Sequence, residues 1–122
     1  MFELAIIGHF ASAHQLHGYE GNCKDLHGHT WKVEATIEGD QLDSVGMLVD
    51  FKAAKMKLKN VLAGMDHVFL NNLPAFQKNN PTTERLAKYI FEEFSKACLP
   101  LKVKRVQVWE SEAASVTYYK KS

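Results

Sequence analysis

The stretch HTWKVEATIEG, residues 29–39, decides how the rest of the chain is read. Trp31, Val33, Ala35 and Ile37 alternate with Thr30, Lys32, Glu34, Thr36 and Glu38. Successive side chains on an extended backbone point to opposite faces, so this period of two describes a half-buried strand. Upstream, FELAIIGHFASA (residues 2–13) is apolar and β-compatible and reads as a second strand. Its alternation is imperfect, and Gly8 predicts a bulge or kink. Between the two, residues 15–28 hold Gly18, Gly21 and Gly28 together with Asn22 and Asp25, which makes a loop.

Downstream, GDQLDSVGM (residues 39–47) reads as a turn, and Asp50 is a fitting N-cap for a helix over roughly 51–64. Phe51, Ala54, Leu58, Val61 and Leu62 fall on one side of that helix, while Lys52, Lys55, Lys57 and Lys59 mostly face water. An irregular connection follows (MDHVFLNNLPAFQKNNP, residues 65–81). A second helix is predicted over about 83–97, with Leu86, Ile90, Phe94 and Ala97 as its stripe and prolines 81 and 100 as its boundaries. Two last strands, KVKRVQVWE (residues 102–110) and SVTYYK (residues 115–120), flank a turn short enough for a hairpin. The order β-β-α-α-β-β predicts an α+β domain: a four-stranded antiparallel sheet with two helices on one face, in a single unit spanning residues 1–122.

A chain of 122 residues with 46% hydrophobic content can bury one real core. Its formal net charge of +1 argues against a general nucleic-acid binder. Cys23 and Cys98 are too few for a disulfide framework, and Cys98 reads as a small core residue at a helix end. The opening MFELAIIGHF has no basic leader region, and no run approaches eighteen apolar residues. The expectation is a soluble cytoplasmic domain with no membrane association, and the charge balance leaves room for a local basic pocket for one phosphorylated ligand.

The chemistry concentrates in CKDLHGH, residues 23–29. His27 and His29 are two apart, so an extended backbone projects both imidazoles to one side. That is a metal clamp or a surface hydrogen-bonding pair. If the first two strands form a hairpin, His14 lands near His29 and supplies a third nitrogen, which leaves one position open on a catalytic metal. His9 has the opposite strand parity, and His17 sits in the loop. Cys23 has three readings: a fourth ligand closing a structural zinc site, a free thiol acting as base or nucleophile, or an inert loop residue. Asp66 and His67 are adjacent and could form an oriented carboxylate–imidazole pair or a solvated turn. Glu110 ends an apolar strand, either as an exposed charge or as an acceptor for a planar, guanidine-like donor edge. Thr82 and Thr83 are suited to capping the second helix.

In order, FASAHQL, CKDLHGH, VDF, MDHVFLN, PTTE and VWESEAA resemble the pterin-synthase branch of the tunnelling-fold enzymes, the 6-pyruvoyl- and 6-carboxytetrahydropterin synthases, over nearly the whole chain. That resemblance implies Zn2+ on His14, His27 and His29. It implies Cys23 as a catalytic thiol, Asp66 and His67 as an acid–base pair, and Glu110 as the pterin anchor with Thr82 and Thr83 near the ring. Three residues between Cys23 and His27 are similar to the carboxy-forming branch, which serves queuosine biosynthesis. The implied reaction converts dihydroneopterin triphosphate to 6-carboxytetrahydropterin with release of acetaldehyde and triphosphate. The alternatives are 6-pyruvoyl-tetrahydropterin formation or sepiapterin side-chain cleavage on the same fold. A reading of another class is a non-enzymatic module with Cys23 closing a structural zinc site. The resemblance also implies a homohexamer, two stacked trimers whose sheets close into a barrel with active sites at subunit interfaces. Two features depart from the family pattern: the segment from His14 to Cys23 is short, and Val68 stands where some relatives carry a further histidine.

Overall fold

The computed structural model describes residues 1–18 and 27–121, with only the backbone of His27. Six main elements follow one another: β1 (Phe2–His14), β2 (His27–Gly39), α1 (Phe51–Ala63), α2 (Thr83–Cys98), β3 (Lys102–Ser111) and β4 (Ala114–Tyr118). The four strands form one antiparallel sheet in the order β1-β2-β3-β4. Short 3-10 turns at Leu70–Asn72 and Pro74–Phe76 punctuate the connection between the helices. Among the described residues, no helix is long and apolar enough to cross a membrane.

The period-two pattern of β2 sets the architecture. Trp31, Val33, Ala35 and Ile37 are all fully buried on the face the helices cover. Ile6 and Phe10 of β1 continue that face on one side, and Val103, Val106 and Val108 of β3 on the other. Val103 and Val106 are three apart, which would put them on opposite faces of a regular strand. A register shift between Thr36 and Ile37 absorbs the extra residue, because Thr36 pairs with Arg105 while Ile37 pairs with Val103.

The covering stripes are Ala54, Leu58 and Leu62 on α1, and Leu86, Ala87, Ile90, Phe91, Phe94 and Cys98 on α2. Phe51 and Ala97, expected in those stripes, are exposed. Phe51 is the first residue of α1 and lies out beside the Phe2 end of the sheet. On α2, four residues beyond Phe94 come closer to its azimuth than three do, so Cys98 takes the place expected of Ala97. Burial raises the thiol pKa of Cys98, as befits an inert core residue. Asp50 accepts a hydrogen bond from Lys52 N–H and Thr82 accepts one from Arg85 N–H, both at 3.2 Å, so each long helix is capped as its sequence predicts.

Gly8 does not mark a bulge. The β1–β2 register runs unbroken from Phe2↔Gly39 to His14↔His27. The glycine makes room for α1 instead: a Cβ there would lie 2.8 Å from Leu62 Cδ1 and 3.2 Å from Leu58 Cδ2. The outer edge of β1 is partly covered at its His14 end. Residues 66–69 run alongside it, with Ala13 N–H donating to Val68 O at 3.2 Å and an isolated parallel bridge from Ala13 to Phe69.

Candidate active site

The alternation that builds the core also builds the site. On the helix-covered face, β1 continues from Phe10 through Ser12 to His14, β2 runs back from Trp31 to His29, and β3 runs on from Val108 to Glu110. At one end of the sheet, three neighbouring strands thus exchange apolar for polar side chains without changing face. His14 is 1% exposed and Ser12 6%, so these groups inherit the burial of the core. Ser12 Oγ donates to the Met65 carbonyl, which satisfies it.

His14 Nδ1 lies 2.9 Å from the Pro81 carbonyl oxygen. A carbonyl only accepts, so Nδ1 carries a proton, and in the neutral ring that makes Nε2 the nitrogen able to ligate. This is how a ligating histidine is commonly oriented. Trp31 forms the floor. Its indole makes edge-to-face contacts with His14 at 5.2 Å and His29 at 5.1 Å, and it stacks on Phe10 at 5.8 Å. The two imidazoles themselves meet edge to face at 5.1 Å.

Glu110 closes the group. Its Oε1 lies 3.1 Å from His29 Nε2, and its Oε2 accepts from Thr83 Oγ1 at 3.0 Å. One donor atom each from His14, His29 and Glu110 fall within 4.8 Å of one another. Two imidazoles and a carboxylate are a donor set that suits Zn2+, and the tautomer set on His14 by Pro81 suits it too. The backbone of His27 pairs directly opposite His14.

Asp66 and His67 form a pair. Asp66 Oδ1 accepts from the Ala11 backbone N–H at 2.8 Å, and Oδ2 lies 3.0 Å from His67 Nδ1. The Ala11 N–H holds the Asp66 carboxyl below its usual pKa, with His67 adding to the effect. His67 has a left-handed φ of 56°, uncommon for a side-chain-bearing residue, and its N–H donates to Ala11 O. Both residues are therefore tied to β1, three residues before His14, while the His67 side chain stays 81% exposed.

Of the residues singled out in the sequence, the structure brings together His14, His29, Glu110 and Thr83. It joins Asp66 to His67 separately. Thr82 caps α2, and Thr83 alone of the two threonines reaches Glu110. His9 and His17 are exposed, as their parity and loop position predict. Cys23 and the His27 side chain lie outside the described residues. Two contributors were not foreseen. Trp31 as floor follows from strand parity, which puts it next to His29 on one face. The Pro81 carbonyl has no sequence signal at all, because any residue offers one.

The chain matches the family model described as 6-pyruvoyl tetrahydropterin synthase over residues 3–121. It is similar to the 6-carboxy-5,6,7,8-tetrahydropterin synthase of Synechocystis sp., with 31% identity over 115 residues, 90% of this chain and 87% of that protein. The protein of the same name from Haemophilus influenzae is 30% identical over 140 aligned positions, covering 97% of this chain and 99% of that one. A dihydroneopterin monophosphate aldolase of Pyrococcus furiosus is 36% identical over 95 residues, 76% of this chain and 77% of that one. Among solved structures, Caenorhabditis elegans 6-pyruvoyl tetrahydropterin synthase superposes with a TM-score of 0.87 at 23% identity, covering 98% of this chain and 96% of that chain.

Proposed function

The chain belongs to the 6-pyruvoyl tetrahydropterin synthase family, and from that premise we propose that it is a zinc-dependent lyase converting dihydroneopterin triphosphate to 6-carboxytetrahydropterin, with release of acetaldehyde and triphosphate. The observation that carries the reading is that two imidazoles, His14 and His29, meet at the buried end of the sheet with a carboxylate oxygen of Glu110 within 4.8 Å, so that metal-ligating groups stand directly beside an anchor for the pterin. The carboxy-forming choice is supported by the similar proteins of that name and by the three-residue gap between Cys23 and His27.

His14, His27 and His29 hold the metal in this reading. When bound, Zn2+ polarises the hydroxyls of the substrate side chain and eases loss of the neighbouring protons. Glu110 accepts hydrogen bonds from the amino-pyrimidine edge of the pterin, and Thr83 fixes the carboxylate that does so. Cys23, as a thiolate, takes a proton from the side chain. His67 carries protons to and from the side-chain oxygens. Asp66, whose carboxyl the Ala11 N–H holds below its usual pKa, orients that imidazole. Thr82 remains near the ring as the cap of α2. The bond to triphosphate breaks, water enters, and the cleaved carbon–carbon bond leaves a carboxylate on the ring and acetaldehyde in solution.

In this reading the enzyme is a single domain serving queuosine biosynthesis in the cytoplasm. It works as a homohexamer of two trimers, in which neighbouring copies close the open sheet edges into a barrel.

A second reading rests on the similarity to the Pyrococcus furiosus aldolase. There, the same centre would split a dihydroneopterin phosphate by a retro-aldol step, giving a hydroxymethyl pterin and a phosphorylated two-carbon aldehyde. One experiment tests both. The zinc-loaded protein is incubated with dihydroneopterin triphosphate or monophosphate, and the products are identified by mass with an acetaldehyde assay. Acetaldehyde with a carboxypterin supports the first reading. A pyruvoyl product, or a phosphorylated aldehyde, replaces it with another activity of the same fold.

A further inference from the structure

Two asparagine side chains grip the backbone just where the chain leaves β1. Asn71 Oδ1 accepts from Gln15 N–H at 2.9 Å, and Asn71 Nδ2 donates to Gln15 O at 2.7 Å. Asn80 repeats the arrangement two residues on, accepting from His17 N–H at 2.9 Å and donating to His17 O at 2.7 Å. A carboxamide carries one acceptor and two donors, so it can satisfy both polar groups of one extended residue as a neighbouring strand would. Residues 15 and 17 lie beyond the end of β1 at His14, and among the described residues no strand pairs with them. Asn71 and Asn80 take over there.

The clamps also meet the candidate centre. Gln15 follows His14 directly. Asn80 precedes Pro81, whose carbonyl holds the His14 ring by Nδ1. The Asn80 carbonyl is itself fixed by Arg85 Nη1 at 3.1 Å and by Thr82 N–H at 2.9 Å, which ties it to the start of α2. His14 is thus held twice: its backbone through the neighbouring residue gripped by Asn71, and its ring through a segment stitched to His17 by Asn80.

We propose that Asn71 and Asn80 are positioning residues of this centre, fixing the direction in which His14 presents its Nε2. This rests on the reading of His14 as a metal ligand. A group bonded directly to a ligating histidine typically changes metal affinity by about 10–100-fold when lost, and Asn71 and Asn80 act one step further out, through the backbone beside His14 and Pro81. The Asn71 clamp is part-buried and the Asn80 clamp exposed, so water replaces the second more readily. Asn71→Ala is expected to weaken zinc binding by roughly three- to tenfold, below the range for a direct partner, and Asn80→Ala by less.

The test measures Zn2+ affinity by competition with a chelator in the wild-type protein, Asn71→Ala, Asn80→Ala and the double variant. It also follows the His14 ring resonances by NMR and amide exchange at residues 15 and 17. Weaker zinc binding, a shifted His14 ring and faster exchange at those two amides support the proposal. Faster exchange with zinc affinity within twofold and an unmoved ring overturns it, because the clamps would then be merely structural. If the wild-type protein binds no zinc, the metal reading fails by itself. The His14 ring then decides the positioning claim, which stands if the variants displace the ring and falls if they do not. Should Asn71→Ala fail to fold, Asn71→Asp keeps the volume and the acceptor for Gln15 N–H while losing the donor. It is then read against the same outcomes.

Discussion

Replacing Glu110 by glutamine separates the two roles its position allows. The change keeps volume but removes a charge and turns one acceptor into a donor. In the structure, Oε2 accepts from Thr83 at 3.0 Å, while Oε1 lies 3.1 Å from His29 Nε2. A glutamine can keep the Thr83 bond with its oxygen, but its amide nitrogen then confronts the donor edge of the pterin. Loss of one charge-assisted hydrogen bond is worth about 1.5–3 kcal/mol, or roughly 10- to 150-fold in kcat/KM. The side chain is 27% exposed, which favours the lower half of that range. Steady-state kinetics on dihydroneopterin triphosphate, with zinc content measured on the same preparation, gives the answer. The expected result is a reduced kcat/KM with zinc stoichiometry unchanged. An unaltered kcat/KM would refute the anchoring role. Loss of zinc with the carboxylate would make Glu110 a metal ligand, which its place within 4.8 Å of the His14 and His29 donor atoms permits geometrically.

Cys23→Ala should retain zinc and fold but lose turnover by at least about 100-fold, the lower range for a positioned acid–base group. Loss of metal and fold together would instead show the thiol closing a structural site. Gly8→Ala places a Cβ 2.8 Å from Leu62 Cδ1, and urea denaturation should show a loss of about 1–3 kcal/mol, whereas no loss would mean that α1 does not press on β1. Asp50→Ala removes the cap on Lys52 N–H and should lower stability by about 1 kcal/mol without changing kcat, so a fall in kcat would contradict its purely structural place. Asp66 has its folded pKa lowered from 3.8, so the ion contributes stability above that value and the contribution is lost as pH falls through the lower folded value. Thermal melts from pH 6 to about pH 3 should therefore show a shallower acid decline for Asp66→Asn than for the wild-type protein, and parallel curves would contradict the Ala11 contact.

Much of this was legible in the chain because one period does two jobs. The alternation Trp31, Val33, Ala35, Ile37 assigns the buried face. Extended backwards, it puts His29 on that face, and the hairpin then delivers His14. The helices were legible from their stripes and caps. Less legible was anything that depends on space between elements. Gly8 reads as a break in alternation, yet its purpose is set by Leu58 and Leu62, fifty residues on. The extra residue between Val103 and Val106 is invisible until the partner strand is known. Adjacent residues do not normally face each other, so local sequence favours a solvated turn over an Asp66–His67 pair. The pair depends on a left-handed backbone at His67 and on an anchor from Ala11. The carbonyl of Pro81 and the amides of Asn71 and Asn80 act through backbone geometry, for which residue identity is a poor guide.

The most direct measurement is zinc K-edge X-ray absorption on the zinc-loaded protein, alone and with a pterin bound. The account predicts three imidazole nitrogens at about 2.0–2.1 Å and one light, exchangeable oxygen that the pterin replaces. A sulfur scatterer at about 2.3 Å, unaltered by the pterin, would contradict it, since the loop thiol would then be a permanent ligand and no position would remain for the substrate.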